Sequence, residues 1–119
     1  MFIQATTISH YGKIKVEPLT GAIGAEISGV DLRDIDDDTF AELQAAWLDH
    51  KVLFFRDQPF TQAEHVAYGR RFGELEVHPF IPAPEGHPEI VLLESTPERQ
   101  VAAELWHSDV TWRVEPSLG

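Results

Sequence analysis

The sequence contains no cysteine, few basic residues and no long apolar run. Without thiols, the chain cannot form disulfides, thiolate metal sites or a cysteine nucleophile. Nine Lys and Arg against twenty Asp and Glu give a formal net charge of −11, which repels nucleic acid and anionic lipid. No segment approaches the roughly 20 apolar residues of a membrane span, and no basic, apolar signal peptide begins the chain. We therefore expect a cytoplasmic protein that binds neither nucleic acid nor membrane.

The residues that are present are typical of a globular domain. Hydrophobic residues make up 43% of the 119 residues, which leaves enough apolar surface to offset the entropy lost on folding. No repeat, low-complexity tract or linker divides the chain. Residues 1–119 are therefore predicted to belong to a single domain.

Local patterns predict an α+β architecture. Alternating polar and apolar residues over 13–19, followed by two glycines and the segment 25–30, favour a hairpin. Acidic residues and apolar side chains at three- and four-residue steps predict a helix over 37–50. A second helix is expected over 62–72, since Thr61 and Glu64 have capping-box spacing.

Three further segments are predicted to be extended. Residues 52–56 form a short apolar run with many branched and aromatic side chains, typical of a core strand covered on both faces. Residues 74–80 are expected to be extended, and residues 89–94 to form another apolar strand.

The stretch LWHSDVTW, Leu105 to Trp112, carries the candidate chemistry. If it is extended, His107 and Asp109 project from one face and can hold one metal ion. The two flanking tryptophans predict an apolar setting for this polar pair. Two histidines with one carboxylate form the iron site of non-haem oxygenases. Without metal, the two side chains would be an internal hydrogen-bonded pair.

Such a site requires one more histidine. Among the other five, His50 and His65 fall on predicted helices, and His10 and His87 fall in predicted loops. His78 is therefore the serious candidate within this chain.

Three stretches occur together over almost the whole chain: PLTGAIGAEISGVDL, LDHKVLFFRDQPFTQAEHVAYGRRFGELEVHP and WHSDVTW. In this order and spacing they resemble the taurine dioxygenase (TauD/TfdA) family of iron(II)- and 2-oxoglutarate-dependent enzymes. The resemblance implies a double-stranded β-helix, a jelly-roll-like barrel with outer helices, which is incomplete in this chain.

The resemblance also implies a site and a reaction. His107 and Asp109 match two of the three protein ligands to Fe(II), and His78 and Val110 match substrate-binding positions. With 2-oxoglutarate and O2 as co-substrates, the family hydroxylates a small anionic organic molecule and releases succinate and CO2. Taurine-using members carry a tyrosine and an asparagine where this chain has Ile81 and Ala103. The change favours a more apolar sulfonate, a sulfate ester or another organic acid.

The third iron ligand and the residues that bind 2-oxoglutarate are expected downstream of Gly119. About five strands cannot close a barrel of roughly eight, so we expect the isolated chain to be an inactive, poorly stable N-terminal part of a longer enzyme. The sequence is compatible with a homo-oligomer of the full-length protein. It is also compatible with two other functional classes, a non-catalytic binding or structural module and a metal-dependent hydrolase.

Overall fold

The computed structural model describes residues 10–98, 106–111 and 113–116. The chain divides into two compact units, Met1–Pro59 and Phe60–Gly119. The described part contains a three-stranded sheet and two helices, which confirms the predicted mixture of strand and helix. None of these helices is long and apolar enough to cross a membrane. Closure into a jelly-roll barrel and the assignment of residues 1–119 to one domain stay predictions.

The first unit begins with the predicted hairpin. Strands β1 (Lys15–Pro18) and β2 (Ala25–Ser28) are antiparallel, and Val16 lies opposite Ile27. The connecting turn closes where the Leu19 N–H donates to the Gly24 carbonyl at 2.9 Å. Gly24 has a φ of 88°, a conformation that a residue without a Cβ adopts at no steric cost. The glycine therefore allows the chain to reverse here.

Helix α1 (Asp37–His50) has the predicted bounds because local interactions define both of its ends. At the start, the Asp36 carboxylate accepts a hydrogen bond from the Thr39 N–H at 2.7 Å. At the end, Lys51 has a φ of 70°, and its N–H donates to the Trp47 carbonyl at 2.7 Å.

Strand β3 (Leu53–Phe55) lies at the edge of the sheet and pairs with β2 in parallel. A parallel pair needs a crossover connection, and α1 provides it. The core of this unit consists of buried apolar side chains from the hairpin, the loop before α1, and α1 itself: Ile14, Ala25, Ile27, Leu32, Phe40, Leu43, Ala45 and Ala46.

The predicted burial of residues 52–56 on both faces is wrong. Leu53 and Phe55 are half-buried, whereas the Phe54 side chain is 43% exposed. Alternate side chains of a strand face opposite sides of the sheet, and α1 is the helix that contacts β3 within residues 10–59. Phe54 therefore lies on a face that no second layer covers in the described part of this unit.

The second unit begins with helix α2 (Gln62–Arg70). The predicted capping box is confirmed: the Thr61 N–H donates to the Glu64 carboxylate at 2.8 Å, and the Glu64 N–H donates to the Thr61 hydroxyl at 3.2 Å. The helix ends two residues before the predicted bound. The N–H groups of Arg71 and Phe72 donate instead to carbonyls three residues back, which tightens the last turn.

The predicted strand over residues 89–94 is wrong. Its segment belongs to no β-ladder among the described residues, and the Leu92 N–H donates to the carbonyl of Pro82 at 3.2 Å. Leu92 is 52% exposed and Leu93 is 60% exposed. An apolar run becomes a strand when a neighbouring strand pairs with it, and the described part of the second unit provides none.

Candidate functional site

The structure brings the side chains of His107 and Asp109 together. The His107 Nε2 and an Asp109 carboxylate oxygen are 3.0 Å apart. An imidazole nitrogen and a carboxylate oxygen at this separation are donor types that bind a borderline divalent metal. The predicted convergence of the two side chains is therefore present, and their role as metal ligands stays a prediction.

The predicted extended backbone and apolar setting of this pair are wrong. Residues 109–111 form a turn in which Val110 has a φ of 53°, so the turn, and not strand alternation, brings the two side chains together. The Asp109 side chain is 86% exposed, and Trp106 is fully exposed. Trp112 lies outside the described residues.

His78 lies in a loop of the second unit and is half-buried. Its Nδ1 accepts hydrogen bonds from the N–H groups of Phe80 at 3.2 Å and Ile81 at 3.0 Å. A nitrogen that accepts hydrogen bonds carries no proton, so the neutral imidazole has its hydrogen on Nε2. His78 therefore presents an N–H donor, which suits an oxygen atom of an anionic ligand.

Of the other predicted site positions, the structure describes Val110 and Ile81 but not Ala103. Val110 and Ile81 are half-buried in the second unit. Ala103 lies outside the described residues. The backbone N–H of Ile81 donates a hydrogen bond to the imidazole of His78 at 3.0 Å.

A third metal ligand is not found in the part of the chain that the structure describes. No group of three or more His, Asp or Glu side chains there is arranged to hold a metal ion. His50 is the last residue of α1, and His65 lies on α2, where its ring stacks on Phe60 with centroids 5.9 Å apart. The predicted placement of both histidines on helices is confirmed.

An ion pair joins the loop of His78 to the segment that follows Asp109. An Arg113 guanidinium nitrogen lies 2.9 Å from a Glu76 carboxylate oxygen. The pair cannot be read from the sequence, because the two residues are far apart in the chain and neither belongs to a recognisable spacing. The signal that could have indicated this pair is the opposite charge of Glu76, near His78, and Arg113, near Asp109.

The second unit also contains an apolar groove of about 330 Å³ beside α2, lined by His65, Val66, Gly69, Leu75, Glu89, Ile90 and Val91. At its edge the Arg70 guanidinium lies 2.8 Å from the Glu89 carboxylate. A hydrogen bond from the backbone N–H of Glu89, together with this guanidinium, lowers the pKa of the carboxyl. The groove includes none of the predicted site residues.

The chain matches a known family over most of its length. The sequence model of the family described as taurine catabolism dioxygenase TauD, TfdA family matches residues 15–119. An alkylsulfatase from Acinetobacter baylyi is 39% identical over 102 residues, which cover 84% of this chain and 32% of that protein. An alpha-ketoglutarate-dependent sulfate ester dioxygenase from Pseudomonas putida is 36% identical over 108 residues, which cover 89% of this chain and 35% of that protein.

The fold has a similar counterpart among solved structures. The crystal structure of a taurine dioxygenase from Burkholderia xenovorans matches with a TM-score of 0.64 and 41% sequence identity, over 70% of this chain and 32% of that chain. The chain spans about a third of the length of the curated relatives that it matches.

Proposed function

Because this chain belongs to the TauD/TfdA dioxygenase family, we propose that it supplies part of the active site of an iron(II)- and 2-oxoglutarate-dependent dioxygenase. The observation that carries the proposal is the 3.0 Å approach of the His107 imidazole to the Asp109 carboxylate. The activity is proposed for a protein of the relatives' length, since the relatives are about three times as long as the part that matches.

The donor atoms fit a divalent metal ion. The His107 nitrogen and the Asp109 oxygen are 3.0 Å apart, close enough for both to bind one ion at the roughly 2.1 Å typical of such bonds. Both side chains are exposed, so an ion can reach them from solvent. When bound, iron with 2-oxoglutarate and O2 supplies the oxidising power, and the residues of the chain orient the reactants.

The residues of this chain have two separate tasks in the proposal. His107 and Asp109 would hold the metal through the imidazole nitrogen and the carboxylate oxygen that lie 3.0 Å apart. His78 donates its Nε2–H to an oxygen of the substrate, because its Nδ1 is engaged by two backbone N–H groups. Val110, next to Asp109 in the chain, would line the same site.

We propose a small sulfate ester or alkyl sulfonate as the substrate class. Two observations support it: relatives that bear the names alkylsulfatase and sulfate ester dioxygenase, and the apolar Ile81 beside the His78 imidazole. An N–H donor recognises sulfate and sulfonate oxygens, whereas a half-buried isoleucine favours an alkyl group over an ammonium. Because the protein carries a net charge of −11, such local donors must offset a field that repels anions.

Turnover by the full-length protein tests the proposal. An alkyl sulfate, an alkyl sulfonate and taurine would each be incubated with Fe(II), 2-oxoglutarate and O2, and succinate, sulfate and sulfite would be measured. We expect succinate to form with the alkyl substrates in preference to taurine, and His107→Ala and Asp109→Ala each to abolish it.

Omission of O2 separates the competing classes. Sulfate release that continues without O2 and 2-oxoglutarate would identify a metal-dependent hydrolase. Wild-type succinate formation by His107→Ala would refute the iron assignment. Fe(II) binding by neither wild type nor variant would identify a non-catalytic module.

A further inference from the structure

The ion pair between Glu76 and Arg113 connects the two segments that carry the proposed site. Glu76 precedes His78 by two residues, and Arg113 follows Asp109 by four. The 2.9 Å contact is sheltered on the side of Glu76, whose side chain is 26% exposed, whereas that of Arg113 is 50% exposed. A sheltered pair is screened less by salt than one between fully exposed side chains. The contact is therefore suited to hold two irregular segments together.

Arg113 also stabilises the turn next to Asp109 through its backbone. Its N–H donates to the Val110 carbonyl at 3.1 Å. Val110 has a φ of 53°, a region that branched side chains rarely adopt, so its conformation requires support from surrounding contacts. The backbone hydrogen bond and the side-chain ion pair of Arg113 both provide such support.

We propose that Glu76 and Arg113 are positioning residues that fix the turn of Asp109 and Val110 relative to the loop of His78. The inference rests on the proposed function, in which the turn of Asp109 helps to hold the metal and the loop of His78 binds the substrate. Correct relative placement of the two reacting partners contributes much of an enzyme's rate, and small displacements lower it steeply. The described residues of the two segments belong to no helix or strand, so side-chain contacts must provide this placement.

A double-mutant cycle in the full-length protein tests the inference. The variants are Glu76→Ala, Arg113→Ala, the double variant, and the charge-exchanged Glu76→Arg with Arg113→Glu. A second ion pair of the same unit is the matched control: Arg70 and Glu89 are 2.8 Å apart, and their side chains are 63% and 16% exposed. This control pair ties α2 to residue 89 and contains no predicted site residue, so Arg70→Ala and Glu89→Ala report the general effect of removing such a pair.

Three quantities are measured for every variant: the affinity for Fe(II), by anaerobic titration of the apoprotein, kcat and KM. Thermal unfolding checks that each variant is folded. We expect each single alanine variant of the Glu76–Arg113 pair to lower the affinity for Fe(II) about three- to fivefold. This is the loss expected when the stabilisation from one partly exposed ion pair is removed. The double variant should lose no more than either single variant, and the charge exchange should regain part of the loss.

We also expect kcat to fall about tenfold in the same single variants, because metal and substrate are no longer aligned. The control variants should keep wild-type Fe(II) affinity and kcat. If Glu76→Ala and Arg113→Ala match the controls while His107→Ala abolishes Fe(II) binding, the positioning role is wrong and the proposed function stands. If His107→Ala binds Fe(II) like the wild type, the proposed function itself is wrong.

Discussion

The Nδ1 of His78 accepts a hydrogen bond from the backbone N–H of Ile81 at 3.0 Å. A second bond, from the Phe80 N–H at 3.2 Å, reaches the same nitrogen. The imidazole thus stabilises its own loop with one nitrogen and leaves the other, protonated nitrogen as a donor. One side chain therefore has a structural role and a proposed substrate-binding role that act through different atoms.

Two variants separate these roles of His78. Asparagine places an oxygen near the Nδ1 position and can accept the two backbone hydrogen bonds, whereas glutamine places an N–H near the Nε2 position. We expect His78→Asn to keep the wild-type unfolding free energy and to raise KM for an alkyl sulfate by about tenfold, the cost of one hydrogen bond to a charged group. We expect His78→Gln to keep more of the substrate affinity and to lose stability. A wild-type KM for His78→Asn would show that Nε2 does not contact the substrate.

The turn at Val110 predicts that a glycine variant at this position is more stable than an alanine variant, the reverse of the usual order. Glycine tolerates the observed φ of 53°, whereas any side chain with a Cβ is strained there. We expect Val110→Gly to be more stable than Val110→Ala by about 1 kcal/mol in denaturant unfolding of the full-length protein. The control position is Val91, an exposed residue without a positive φ, where the glycine variant should be the less stable one. If the glycine variant were less stable than the alanine variant at both positions, strain at Val110 would be contradicted.

Exchange of Ile81 predicts a change of substrate preference. A tyrosine offers a hydroxyl to a small polar substrate and interrupts the apolar surface that suits an alkyl chain. We expect Ile81→Tyr to lower KM for taurine about fivefold, the value of one hydrogen bond, and to raise it for an alkyl sulfate. Ile81→Phe is the control, since it adds the ring without the hydroxyl. The same gain for both variants would mean that ring size, and not hydrogen bonding, determines the preference.

Helix α1 holds the preceding segment of the first unit through one carboxylate. The Glu42 oxygens accept hydrogen bonds from the N–H groups of Gly12 at 3.0 Å, Lys13 at 2.9 Å and Ile14 at 3.2 Å. Partial burial opposes ionisation of this carboxyl, but the three N–H donors outweigh it and lower the pKa of Glu42 below its ordinary 4.5. The ionised form is therefore the one that the fold stabilises.

The lowered pKa of Glu42 predicts how stability depends on pH. A carboxyl with a depressed folded-state pKa stabilises the fold fully above its unfolded value and loses that contribution as pH falls through the folded value. We expect Glu42→Gln to destabilise the protein at pH 7, and the difference from wild type to shrink as the pH falls below 4.5. Amide hydrogen exchange of residues 12–14 should be faster in the variant at pH 7.

The control for Glu42 is Glu17→Gln, which removes an exposed ion pair with Lys15 on β1. This variant leaves the three backbone hydrogen bonds to Glu42 intact, so exchange at residues 12–14 should be unchanged. Faster exchange in both variants would show that loss of negative charge, and not loss of the hydrogen bonds, loosens the segment.

The sequence by itself determined the features that depend on near neighbours in the chain. Both helices begin at the predicted residues because the caps, Asp36 and Thr61, bond N–H groups only three positions away. The hairpin of β1 and β2 follows from alternation and a glycine turn, which are equally local. The pairing of His107 with Asp109 was predictable for the same reason, since one residue separates them.

Only the tertiary structure decided which segments pair and which surfaces are covered. Residues 52–56 and 89–94 are similarly apolar, yet the first contains a strand paired with β2 and the second belongs to no ladder in the described part. The Glu76–Arg113 contact and the exposure of Trp106 were likewise decided by placement in space. Burial and pairing between distant segments depend on the energy of the whole fold, whereas caps and turns depend on a few adjacent residues.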